Sequence, residues 1–224
     1  QLSVSDLHFI TDQFNTGLQV KDVGFNRAIH ILSSNEYFRF AVVREPLDRL
    51  VSAYLEKFVR NRFSPANQIH TSPIVTAIRG TADHKSGVTF REFIQYISAQ
   101  KTENLDPHWI PQSMYLKPFD NDISIYRLDE IDQLKTDLAV ISGETISISH
   151  SHKTNEKVSD DQTRIKGDNN VYIDYLPNDL DILGGLSSKN FITDDVSLMV
   201  HDIYAEDRLI YNSPPIRDKC ARKD

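Results

Sequence analysis

The sequence predicts an α/β fold: a single domain over residues 1–224 with a central parallel sheet flanked by helices and a polar tail at 212–224. Three observations carry that prediction. Phe40-Ala41-Val42-Val43 is an apolar run of strand length, and Leu47, Leu50, Val51, Tyr54, Leu55 and Phe58 follow at helical spacing. A second strand, around Ile123 and Ile125, leads into Ile131, Leu134, Leu138 and Ile141, again spaced for a helix. A chain of 224 residues can bury one good core, and no shift of composition asks for a second domain.

Residues 1–36 mix apolar and polar side chains without a long period and read as loop and short helix. The first clear strand, 38–43, reads as buried, and helix 46–60 opens with Pro46, whose ring is already set for the first helical position. The polar stretch with Pro65, Pro73 and Gly80 reads as a surface excursion. Helix 89–99 has Thr89 as N-cap and Phe90, Phe93, Ile94 and Ile97 on one face. Asp129 and Glu130 suit the positive end of the helix that follows them. Residues 149–190, rich in Ser, Asp, Asn and Gly, read as loops. Thr193 is expected to cap a last helix with Val196, Met199, Val200 and Ile203 as its apolar stripe.

The junction of strand 38–43 with helix 46–60 is a place to hold a phosphate. In open α/β sheets ligands bind beyond the carboxyl ends of the strands, where helix amino termini offer unpaired N–H groups and a favourable dipole. Arg44 adds a permanently charged fork there and Ser52, on the helix flank, a hydroxyl; together they suit a phosphate monoester. A strand-end ion pair for Arg44 and an ordinary surface position for Ser52 are the competing readings. Arg49 and Lys57 read as scaffold, paired with carboxylates such as Asp48 and Glu56.

The run Arg44-Glu45-Pro46, Arg49-Leu50, Ser52-Ala53-Tyr54 and Lys57-Phe58 resembles the 3′-phosphate-binding motif of sulfotransferases that use 3′-phosphoadenosine 5′-phosphosulfate (PAPS). Ser86 to Phe93 resembles the next helix of the carbohydrate sulfotransferases related to the HNK-1 and chondroitin enzymes. Asp106-Pro107-His108-Trp109 with Pro111 and Gln112 resembles their HW segment, and Val200 to Tyr211 their closing helix. The resemblance implies a P-loop-NTPase-like sulfotransferase fold and transfer of a sulfuryl group from PAPS to an acceptor hydroxyl on a carbohydrate. It also implies Arg44 and Ser52 on the cofactor's 3′-phosphate and no metal. A non-catalytic or degenerate nucleotide-binding relative is the alternative. The family places a strand and a Pro-Lys loop upstream of the 3′-phosphate motif to cradle the phosphosulfate. Nothing in residues 1–36 reads that way, so the domain is expected to be amino-terminally truncated. Gly184 to Lys189 lacks the order of a phosphate loop and reads as a plain turn.

For the base that takes the acceptor proton, His8 is the first candidate, because related enzymes place a histidine between the phosphosulfate loop's helix and the 3′-phosphate strand. His108, in the HW segment, is the second: a base, an acceptor contact or a buried histidine orienting Trp109. An ordinary imidazole pKa near 6.5 suits either. His150, His152 and Lys153 read as a solvated loop. Trp109 could stack on a sugar and Arg60 or Arg62 could meet an acidic glycan, although surface roles fit as well. No histidine or carboxylate shows the tight H-E-x-x-H spacing of a metal site.

The net charge of -7 argues against general nucleic-acid binding. It is unevenly spread: residues 41–90 hold seven Lys/Arg against four Asp/Glu and residues 159–207 three against eleven, a basic first half compatible with an anionic ligand. No apolar run reaches the roughly 18 residues of a membrane span. The single cysteine, Cys220, can form no intrachain disulfide, whereas the Golgi members of the family carry paired cysteines where this chain has Leu116-Lys117-Pro118-Phe119. With no usable Asn-X-Ser/Thr acceptor, that pointed reading is a reducing cytoplasm and a bacterial or viral origin.

Overall fold

The computed structural model describes residues 20–34, 36–117, 123–148, 165–166 and 170–214. Within them the protein is a helix-rich α/β domain with a small parallel sheet. Strand β1, Phe40–Val43, pairs in parallel with β2, Ser124–Arg127, setting Phe40 beside Ser124 and Val43 beside Arg127. A second parallel pair joins Ile165–Lys166 to Leu183–Gly184. The described sheet is therefore smaller than the central sheet the sequence suggests. β1 is also only half-buried: Val43 is in the core, while Phe40 and Val42, on the opposite face, are 42% and 38% exposed.

The junction after β1 forms as its residues dictate. Pro46 takes the first helical position, and the Glu45 carboxylate accepts the Asp48 N–H at 2.8 Å as N-cap. The helix runs Pro46–Tyr54 and widens into a π-helical turn, Leu55–Arg60, marked by the Asn61 N–H donating to the Glu56 carbonyl at 3.0 Å. Its face of Leu50, Val51, Tyr54, Leu55 and Phe58 is buried and meets Phe90, Phe93, Trp109 and Phe191. Tyr54 donates its hydroxyl to the Val88 carbonyl at 2.8 Å, so even this fully buried phenol is satisfied.

The stretch with two prolines and Gly80 is not an excursion but the fifteen-residue helix Pro65–Arg79. Its punctuation marks boundaries: Pro65 stands in the first turn and Gly80, at φ 77°, closes the end. Pro73 lies inside the helix, and the carbonyl it leaves without an N–H belongs to Ile69, a residue that is 75% exposed. Helix Phe90–Ser98 follows, with Thr89 and Glu92 in a reciprocal capping box and Phe90, Phe93, Ile94 and Ile97 buried as expected. Glu92 also takes both arms of Arg79, at 2.7 and 2.5 Å, tying the two helices together.

Between these helices Gly87 sits at φ +62°, and a Cβ there would lie 2.6 Å from Cγ of Pro177. Gly87→Ala meets both a left-handed backbone and a rigid proline ring. It is expected to lower the unfolding free energy by roughly 2–4 kcal/mol, the sum of the two penalties, read as a shift in denaturant midpoint at unchanged slope. A change below half a kilocalorie would show that the loop simply moves aside.

Helix Ile131–Ser142 follows a 3-10 turn holding Asp129 and Glu130, and ends at Gly143 in the left-handed region. The segment 149–190 is not all loop where it is described. Pro177–Asp181 is a short helix, and Tyr172, Ile173, Leu180 and Leu186 join the core. They escape a pattern search because their apolar runs are short and broken by Asp, Pro and Gly, so no period develops. Thr193 occupies the N-cap position of helix Asp194–Ile203, yet its buried hydroxyl has no hydrogen-bond partner. Tyr204 breaks this helix from the next, Ala205–Asn212, and donates its hydroxyl to the Trp109 carbonyl. Among the described residues no helix is long and apolar enough to cross a membrane.

Candidate functional site

Arg44 follows directly on β1, and its backbone is clamped. The Arg44 N–H donates to Gln112 Oε1 at 3.0 Å, and Gln112 Nε2 donates back to the Arg44 carbonyl at 2.8 Å. Gln112 is held in turn by Asp207. That carboxylate accepts the backbone N–H groups of Gln112 and Ser113 at 2.7 and 2.8 Å, capping helix Gln112–Leu116, and it is 2% exposed. The sequence contains both residues in stretches with a family resemblance, but 95 positions separate them and no spacing rule links them. Asp207 is thus a positioning residue that sequence reasoning missed.

The Arg44 side chain is half-buried and makes no hydrogen bond or ion pair to any described residue. The strand-end ion pair that competed with a ligand role is therefore not formed with a described partner. Ser52 lies on the flank of helix Pro46–Tyr54, half-buried, its hydroxyl equally unengaged by described residues. Arg127, at the same carboxyl edge by register with Val43, is instead occupied by Glu130 at 3.1 Å and Asp129 at 3.5 Å. A planar cation and a hydroxyl at a strand-to-helix junction can together grip a phosphate monoester.

Arg49 and Lys57 are scaffold, with one difference of partner. Arg49 points its guanidinium at the carbonyls of Ile110 and Pro107, 2.6 and 3.2 Å away, and so fastens the HW segment to the helix. Lys57 reaches Asn67 at 2.9 Å and Glu56 at 3.0 Å. Two candidate glycan contacts are corrected. Trp109 is 3% exposed and packs on Phe58 and Phe93, so its ring has no face for a sugar. Arg62 is buried among Val59, Asn178 and Asp181, because its guanidinium ties the π turn to helix Pro177–Asp181.

His8, His150, His152, Lys153 and Cys220 lie outside the described residues. His108 is described, and it is not alone. Its ring Nδ1 lies 2.6 Å from Asp106 Oδ1, its backbone N–H donates to the same oxygen at 2.9 Å, and the other carboxylate oxygen meets His70 Nδ1 at 2.7 Å. The two imidazoles stand edge to face, 4.4 Å between centroids. Burial lowers the His108 pKa, and Lys57 adds to that, against the opposing pull of Asp106. Burial also pushes the Asp106 carboxyl up, but the hydrogen bonds from His108 and His70 overcome it and hold the group below its ordinary value. His70 comes from helix Pro65–Arg79, 36 residues away, which is why no local motif reveals the trio.

The profile of the sulfotransferase family matches residues 8–212, and the chain belongs to that family. Human carbohydrate sulfotransferase 14 is 40% identical over 78 residues, 34% of this chain and 20% of that protein. Carbohydrate sulfotransferase 10 of Xenopus laevis is 29% identical over 101 residues, 41% of this chain and 28% of that protein. The same enzyme of Rattus norvegicus is 34% identical over 83 residues, 33% and 23% of the two chains. The chain thus spans between 20% and 28% of the length of these relatives. No solved structure matches the chain. The relatives are vertebrate proteins, which overturns the expected bacterial or viral origin and the cytoplasmic setting argued with it.

Proposed function

We propose that the chain acts in sulfuryl transfer from PAPS to a hydroxyl group on a carbohydrate, with the 3′-phosphate of the nucleotide held by Arg44 and Ser52. The observation that carries this reading is the Arg44 guanidinium, unengaged by any described residue while its backbone is pinned by Gln112 and Asp207. A cation kept in place without a counter-ion among the described residues suits a doubly charged phosphate. The strand-to-helix junction also fits a P-loop-like topology, which we take as the fold of the whole domain. The carbohydrate acceptor is proposed from the names of the relatives.

In the transfer, the acceptor oxygen forms a bond to sulfur as the bond from sulfur to the phosphate oxygen breaks, leaving 3′-phosphoadenosine 5′-phosphate (PAP). The acceptor proton passes to a base, which we assign to His8, worth roughly 10²- to 10⁴-fold in rate. Positioning supplies the larger share: Arg44 and Ser52 fix the nucleotide end remote from sulfur, so the chain's other contacts can hold the sulfuryl group in line. No metal is required for this step.

PAP should raise the midpoint of thermal unfolding of the chain by several degrees, while adenosine 5′-monophosphate at the same concentration should raise it far less. Equal shifts would remove the 3′-phosphate assignment. Loss of sulfate transfer in His8→Ala with PAP affinity retained supports the base; undiminished transfer moves that role to His108. Binding of PAP with no turnover by any intact form of the protein would favour the degenerate, nucleotide-binding alternative.

A further inference from the structure

We infer that His70, Asp106 and His108 form a binding site for a divalent transition-metal ion of the zinc type, separate from the 3′-phosphate grip and independent of the sulfotransfer reading. One nitrogen from each ring and one carboxylate oxygen lie within 4.8 Å of one another. Two imidazoles and a carboxylate are a common donor set for zinc, and a three-ligand site leaves a coordination position for water or an oxyanion. All three side chains are partly exposed, His70 by 30%, Asp106 by 19% and His108 by 36%, so an ion can enter and its open position can face solvent.

The geometry is set from two directions. His70 projects from helix Pro65–Arg79, whereas Asp106 and His108 stand two residues apart in the turn that the Arg49 guanidinium fastens to helix Pro46–Tyr54. The His108 N–H holds the Asp106 carboxylate in place, so the donor arrangement exists before any ion arrives. Both rings now sit against that carboxylate, at 2.6 and 2.7 Å. A tetrahedral ion with bonds near 2.0–2.1 Å requires donors about 3.3–3.4 Å apart. The ring–carboxylate pairs therefore open by less than about 1 Å, a side-chain adjustment, and each neutral ring carries its proton on the nitrogen facing away from the ion. Lys57 is the opposing charge in the neighbourhood, and its ammonium is engaged by Glu56 and Asn67. Bound there, an ion would join helix Pro65–Arg79 to the HW turn as a structural clasp.

The test uses the whole chain after chelator treatment, titrated first with Co²⁺ and then with Zn²⁺. Expected are visible absorption characteristic of four- or five-coordinate cobalt, saturating at one ion per chain, its displacement by Zn²⁺, and a rise in thermal midpoint with Zn²⁺. His70→Ala should weaken binding at least about tenfold and abolish the zinc-dependent rise in midpoint, with the metal-free circular dichroism unchanged. His70→Gln serves the same purpose should the alanine variant fold poorly, and Asp106→Asn should weaken binding comparably. No binding by the native chain overturns the site. So does equal affinity in native and His70 variants, which would place the ion on other histidines or on Cys220.

Discussion

Phe93→Ala lowers the unfolding free energy by about 3–5 kcal/mol, the range for emptying an aromatic position in a packed core. Phe93 is fully buried and touches four other rings: Tyr54, Phe58, Phe90 and Trp109, with centroids 5.2 to 6.1 Å away. These belong to helix Pro46–Tyr54 with its π extension, to Phe93's own helix and to the HW segment, so one ring packs three separate stretches of the chain together. Their backbones are separately fixed by the Arg79–Glu92 pair and by Arg49 on the HW carbonyls, which limits how far the site can collapse. Urea unfolding at unchanged slope is the measurement. Phe93→Leu should cost well under half as much, since most of the volume stays. A loss below about 1.5 kcal/mol for alanine would show that the rings rearrange around the gap.

Arg44→Ala weakens PAP binding by about 1.5–3 kcal/mol, the scale of a hydrogen bond to a charged group, with little loss of stability. The stability part follows from the side chain having no described partner: its removal strands no polar group among the described residues. Arg44→Lys should recover only part of the affinity, because an ammonium cannot present the two parallel donors of a guanidinium to one phosphate. Calorimetric titration with PAP and with adenosine 5′-monophosphate separates the effects: only PAP should lose affinity. If both nucleotides weaken equally, Arg44 contacts another part of the ligand; if neither does, it has no role in binding.

The elements legible in the sequence were those with their own period and punctuation. Strand Phe40–Val43, helix Pro46–Tyr54 and helix Phe90–Ser98 with its Thr89 cap could be read because apolar spacing and capping chemistry act within a few residues. Helix Pro65–Arg79 stands where two prolines and a glycine predict a surface excursion. Proline costs little in the first turn and glycine is favoured just past the last, so Pro65 and Gly80 mark the helix ends and only Pro73 carries an interior cost. Arg44 and Ser52 were legible as candidates for the same local reason, standing eight positions apart in one short string, at the strand end and on the flank of the helix that follows.

What the sequence by itself determined is the family string, the α/β class and the cation at the end of β1, all features of short range. Only the tertiary structure decided what surrounds them. It buries Trp109 and Arg62, sets Asp207 against Gln112 across 95 positions, and brings His70 to Asp106 and His108. Hydrogen bonds and ring contacts between distant segments have no period along the chain. They arise when the aromatic core closes and each buried polar group must find a partner within about 3 Å, and that choice is made in three dimensions.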